Sequence, residues 1–155
     1  GADAQVIQSV LAAGGAARLS VFGVGGQGGV VVGAAPWSLT GWCSLSAVGA
    51  VAAALAAGAS VSWWSGGLSV VPLAARLIRR SLAVVSSAAV LVLFAPGAGS
   101  LSVAAFAVSQ GRPVFAFSPR PQPPAPVPGL AGAWAPSSFA GCSCLVWQPA
   151  QVSRF

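Results

Sequence analysis

Short apolar runs, each stopped by glycine or proline, alternate along this chain with segments whose apolar residues recur at helical spacing. Val6, Val10 and Leu11 share one side of a helix predicted over 2–13, with Asp3 in its first turn, where a carboxylate complements the helix dipole, and Gly14-Gly15 at its end. Residues 18–24 predict a strand running into Gly25-Gly26-Gln27-Gly28-Gly29. Val30-Val31-Val32 is a poor helix opening and Pro36 follows closely, so this glycine turn predicts a flexible loop or lid, with a phosphate cradle at Gly25 and Gly26 as the sharper alternative. Ser44 or Ser46 caps a helix to Ala57 that Gly58 stops, and 59–64 predicts the next strand. Beyond Ser65-Gly66-Gly67, Pro72 opens a helix over 73–87 with Leu73, Leu77, Leu82 and Val85 inward.

The central stretch is Ala95-Pro96-Gly97-Ala98-Gly99-Ser100-Leu101-Ser102. The apolar run 89–94 before it predicts a buried parallel strand, and good helix formers follow it to Gln110, where Gly111 ends the helix. Arg112-Pro113 then leads into a strand over 114–117. Pro119, Pro121, Pro123, Pro124, Pro126 and Pro128 make 118–128 an extended polyproline-type arm crossing the surface. Cys144-Leu145-Val146-Trp147 predicts an edge strand or a packed tail. The alternation predicts an α/β protein with a Rossmann-like parallel sheet flanked by helices over 1–117, a Pro-rich arm over 118–129, and the tail or edge strand within 130–155. In such sheets ligands bind beyond the carboxyl ends of the strands, where the glycine turns after residues 24, 64 and 94 fall.

Composition narrows the chemistry. The chain has no Lys, His, Met, Tyr, Glu or Asn, and Asp3 is its only acid. That alphabet excludes a Ser/His/Asp triad, a carboxylate pair and a His-containing metal site, so an autonomous hydrolase is not expected, nor is a cofactor. Seven arginines give a net charge of +6. Arg76, Arg79 and Arg80 share one helical face with no acidic neighbour, which suits either solvation or a bound anion. At the central turn, the first free N–H groups of the helix point at whatever sits there and favour phosphate. The candidate ligand residues are Gly97, Gly99, Ser100, Leu101 and Ser102, with Arg76, Arg79, Arg80 and Arg112 as basic contacts. Trp63, Trp64 and Trp37 are candidates for stacking on bases, or for packing in a core. Cys43, Cys142 and Cys144 are expected to be buried and reduced, which fits a cytoplasmic compartment, because Cys142-Ser143-Cys144 is too closely spaced for a CxxC knuckle.

A mean hydropathy of +0.85 raises a membrane alternative. Residues 44–62 carry no charge and lie between Trp42 and Trp63-Trp64, as a spanning helix with interfacial aromatics would. Their small side chains, and the alternation of Ser60-Val61-Ser62-Trp63 after Gly58, argue instead for a helix followed by a strand.

Gly99-Ser100-Leu101, Ala104, Ala107, Gln110-Gly111-Arg112 and Val114-Phe115-Ala116 resemble, without a gap, the segment S-G-S-L-I-T-A-x-x-A-x-x-Q-G-R-x-V-F-A-V of the DprA/Smf family of DNA-processing proteins. Arg76-Leu77-Ile78 resembles that family's R-I-I, and Gly1-Ala2-Asp3 the end of its S-G-x-A-x-G-x-D turn. The resemblance implies a Rossmann-type domain, related to the LOG/lysine-decarboxylase-like proteins, that binds single-stranded DNA or a nucleotide-type ligand. In the DprA proteins the role is to load recombinase onto single-stranded DNA. It also implies that one or two N-terminal strands of the family fold lie outside this chain. Three positions depart from the pattern: Ile7 stands where a His is common, Gly97 where a basic residue often precedes the turn, and Val103 where the LOG motif has its catalytic Glu. Hydrolysis is therefore not implied. The expectation is non-catalytic binding of single-stranded DNA or a nucleotide, with homo-oligomers possible; a self-assembling structural protein and a small membrane protein are the alternatives.

Overall fold

The computed structural model describes residues 2–24, 30–32, 35–37, 45–64, 73–119 and 121–151. Its elements run α1 (Ala2–Ala12), a 3-10 turn (Ala16–Arg18), β1 (Ser20–Val24), β2 (Val30–Val32), β3 (Ala35–Trp37), α2 (Leu45–Ala56), β4 (Ser60–Trp64), α3 (Leu73–Ser87), β5 (Leu91–Phe94), α4 (Ala98–Ser109), β6 (Val114–Phe117), β7 (Gly132–Phe139) and β8 (Cys142–Pro149). The chain is thus mixed α/β. It folds as two compact units, Gly1–Arg80 and Ser81–Phe155, and the division falls within α3.

Three helices stop by one device. In α1, Gly15 N–H donates to the Val10 carbonyl at 2.9 Å and Gly14 N–H to Leu11 at 3.0 Å, and the same pair of bonds closes α2 at Gly58–Ala59 and α4 at Gly111–Arg112. Gly14, Gly58 and Gly111 sit at φ +73°, +81° and +72°, the left-handed cap that this motif requires. Each of these glycines is where the sequence places a helix end.

In the first unit, β1 and β4 pair in parallel with Ser20 opposite Ser60 and Val24 opposite Trp64. Val21, Val51, Ala54 and Ala59 are buried there, and Ile7 and Leu11 of α1 pack against them together with Ala47, Val48 and Leu55 of α2. Val30–Val32 pairs antiparallel with Ala35–Trp37, three β-branched residues favouring a ladder; the loop or lid expected at the glycine turn 25–29 lies outside the described residues. Of the uncharged segment 44–62, the described residues from 45 onward form the 12-residue α2, a turn at Gly58 and the start of β4. Among the described residues, no helix is long and apolar enough to cross a membrane.

The second unit is a four-stranded sheet in the order β5-β6-β8-β7. β5 and β6 are parallel, joined through α4, with Leu91 opposite Val114 and Phe94 opposite Phe117. The remaining pairs are antiparallel, so the described sheets are parallel only at β1–β4 and β5–β6. Residues 144–147 do not form an edge strand: β8 lies between β6 and β7, and β7 takes the edge. Leu93, Val114, Ala116 and Trp147 point to one face, where they pack with Ala104 and Ala107 of α4 and with Val85 of α3. Strand alternation puts Val92, Phe94, Phe115, Phe117, Phe139, Cys142, Cys144 and Val146 on the other face, and none of these is buried.

The proline-rich segment carries no helix or strand over 121–127, and two contacts tie it down. Val127 is 1% exposed within the core, and the Trp134 indole N–H donates to the Ala125 carbonyl at 2.9 Å. Full burial of a valine is worth on the order of 1.5–3 kcal/mol, and prolines reduce the entropy that anchoring must overcome.

The β7–β8 hairpin closes through Ala140 and Gly141 at φ +50° and +79°, a two-residue turn with both positions left-handed. An L-residue costs roughly 1–2 kcal/mol in that region, and Asn tolerates it better. Ala140→Asn is therefore expected to raise stability by about 1 kcal/mol, read as a higher urea midpoint at unchanged slope.

Candidate functional site at the mouth of α4

β5 ends on Phe94, and the chain leaves the sheet through Ala95, whose φ of +46° turns it away from the strand direction. The Ala95 N–H still donates to the Phe117 carbonyl at 2.8 Å, continuing the β5–β6 ladder by one bond and fixing where the turn begins. Gly97 is the N-cap of α4, in extended geometry and with no side-chain cap. Its carbonyl accepts the Leu101 N–H at 3.0 Å, and the Leu101 side chain, 5% exposed, anchors the first turn in the core. The helix geometry leaves the N–H groups of Ala98, Gly99 and Ser100 without intrahelical acceptors, and all three residues are exposed.

Neither glycine of this turn is required by crowding. A Cβ on Gly97 or Gly99 would meet nothing within 4 Å, and Gly97 has an ordinary negative φ of −98°. What glycine does here is leave the approach to the N–H groups clear.

Two candidate ligand residues turn out to be used otherwise. Leu101 spends its N–H on Gly97 and its side chain on the core, and the Ser102 hydroxyl donates back to the Ala98 carbonyl at 3.1 Å. Both belong to the helix itself, since the helical repeat supplies their acceptors at i−4. The open donors are those of residues 98–100.

Arg112 is not part of this mouth. It follows the C-terminal end of α4, a helix of 12 residues that spans about 18 Å. Its Nε donates to the Ala88 carbonyl at 2.6 Å and its Nη2 to Ser86 at 3.0 Å, so the guanidinium caps the last turn of α3. Arg79 is exposed on α3, and Arg80, half-buried, donates from Nη1 to the Phe22 carbonyl at 3.4 Å. Both belong to the first unit, whereas the turn belongs to the second. The side chains of Arg76, Trp63, Trp64 and Trp37, and the residues Gly25, Gly26 and Cys43, lie outside what the structure describes. Cys142 is exposed and Cys144 half-buried, both free thiols, which corrects the expectation that they are buried.

An aromatic pair that sequence reasoning missed stands beside the turn. Phe94 is 50% exposed and stacks on Phe117, ring centroids 5.5 Å apart and planes at 18°. The available signal was a Phe closing each of two apolar runs; only the register of β5 on β6 makes them neighbours. Comparison of the chain with family models, with curated proteins and with solved structures gives no match.

Proposed function

We propose that the mouth of α4 binds a phosphate group of single-stranded DNA or of a nucleotide, without catalysis, and that the exposed Phe94 ring, stacked on Phe117, receives a base. The observation that carries this reading is the uncapped, unobstructed N-terminus of α4 beside an exposed Phe94 stacked on Phe117. Three N–H groups and the helix dipole favour an anion there, the Ser100 hydroxyl adds a donor, and a net charge of +6 draws polyanions to the chain. On this reading β5, α4 and β6 are part of a Rossmann-like, DprA-like domain, with the ligand at the carboxyl end of a parallel strand. The free thiols fit a reducing, cytoplasmic setting.

Ser100→Glu tests it. Glu at the third helical position can reach back to the N-cap N–H, so the variant should fold at least as well as the parent, with helix stability raised by about 0.3–1 kcal/mol. The same carboxylate occupies the anion site. Fluorescence anisotropy with a labelled oligothymidylate should show affinity that falls steeply with salt in the parent and drops at least about tenfold in Ser100→Glu, with Phe94→Ala losing about 1–3 kcal/mol. Equal affinity of parent and Ser100→Glu, or a salt-independent titration, would overturn the reading.

A further inference from the structure

We propose that Cys142 and Cys144 form a two-thiolate site for a soft monovalent cation of the Cu(I) class. Along β8 the side chains alternate, so Cys142 and Cys144 project to the same face and Ser143 to the opposite one. The β7 register places Phe139 across from Cys142 and Ser137 across from Cys144, on that same face. Among the described residues, neither cysteine belongs to a buried cluster. Cys142 is exposed and Cys144 half-buried, so an ion can reach the pair from solvent, and both are free thiols.

Strand geometry then selects what the pair can do. Alternate residues of a strand lie about 6.6–6.8 Å apart at Cα, at the upper limit for a disulfide, whose usual separation is about 5.5–6 Å. The two sulfurs are therefore poorly placed to bond to each other. A bridging metal asks less, since two metal–sulfur bonds of about 2.3 Å span up to about 4.6 Å between sulfurs, within reach when the two side chains lean together.

The identity of the ion follows from what the chain lacks. Zinc wants four N or S donors, and hard cations want carboxylates. This chain has no His and no Glu, and Asp3 is its only acid. A soft d10 monovalent ion is satisfied by two thiolates, and thiolate is the donor it prefers. The complex carries one negative charge, which a chain of net charge +6 tolerates.

The test uses the full chain under reductant, titrated with Cu(I) against bathocuproine disulfonate as competing chelator. One equivalent of Cu(I) per chain should be retained. Cys142→Ser and Cys144→Ser should each weaken retention at least about a hundredfold, because one remaining thiolate cannot close the chelate. Cys43→Ser should match the parent, and retention should fall on acidification as protons compete for sulfur. Circular dichroism of the metal-free serine variants checks that the hairpin persists. The proposal is overturned if either Cys142→Ser or Cys144→Ser keeps parental affinity, if Cys43→Ser abolishes it, if one ion binds per two chains, or if Zn(II) is retained as tightly as Cu(I).

Discussion

Trp147→Ala is expected to destabilise the second unit by about 3–5 kcal/mol, a large share of the roughly 4–11 kcal/mol ordinary for a unit of its size. Trp147 is 4% exposed and lies at the centre of the sheet's buried face, among Val85, Leu93, Ala104, Ala107, Val114, Ala116 and Val127. Several of these are alanines that cannot swing in to fill the hole, so little of the cavity would close. Trp147→Phe should behave very differently. The indole N–H is buried without a hydrogen-bond partner among the described residues, and an unpaired buried donor costs about 1–3 kcal/mol. Phenylalanine removes that donor while keeping most of the apolar volume, so its net cost should stay within about 1 kcal/mol. Urea denaturation followed by far-ultraviolet circular dichroism reads both. Comparable losses for the two substitutions would mean that the indole N–H is satisfied or that the ring's full width is needed.

Gly132→Ala carries the second large effect, about 1–3 kcal/mol from the cost of overpacking. A Cβ at Gly132 would stand 2.7 Å from Cζ2 of Trp147 and 2.9 Å from its Cε2, and would also run into the Gln148 carbonyl oxygen. The indole is held by the core and cannot retreat. The carbonyl belongs to β8, paired with β7 from Gly132 opposite Pro149 to Phe139 opposite Cys142. Relief therefore means peeling the first residues of β7 away, along with the Ala150 N–H to Ala131 carbonyl bond of 2.9 Å. Near-ultraviolet circular dichroism should lose intensity, because Trp134 and Trp147 meet edge to face at 5.3 Å beside that point. Gly99→Ala is the control. Its Cβ meets nothing within 4 Å, and alanine in a helix should add about 0.5–1 kcal/mol.

The helices and the parallel strands were legible because glycine and proline punctuate them. Gly14, Gly58 and Gly111 mark helix ends by the conformation they adopt, and Leu91–Phe94 and Val114–Phe117 stand out as apolar runs on either side of a helical segment. β7 was not legible. Pro136, Ser137 and Ser138 interrupt any apolar alternation, and a strand can carry them only because β7 is an edge whose identity its neighbour decides. Without β7, residues 144–147 have one visible partner at most, which is why they read as an edge or a tail. At the site, the backbone was legible and the side chains were not. The glycine turn announces an open helix N-terminus, whereas the Phe94–Phe117 pair depends on strand register. Arg112 depends on the last carbonyls of α3 lying within its reach, a distance that no local pattern encodes.

Arg112 also settles how a titration of this protein should be interpreted. A basic chain with a single acid cannot hold its arginines by ion pairs, and this one is held by two main-chain oxygens instead. A carbonyl has no proton to gain in acid. The two acceptors carry no formal charge, so the clasp between the end of α3 and the start of β6 is screened less by salt than an ion pair would be and has no acceptor that mild acid can protonate. If phosphate binds at the mouth of α4 as proposed, rising salt should release it well before this joint opens, and far-ultraviolet circular dichroism unchanged over the same salt range checks that the signal lost is the ligand's.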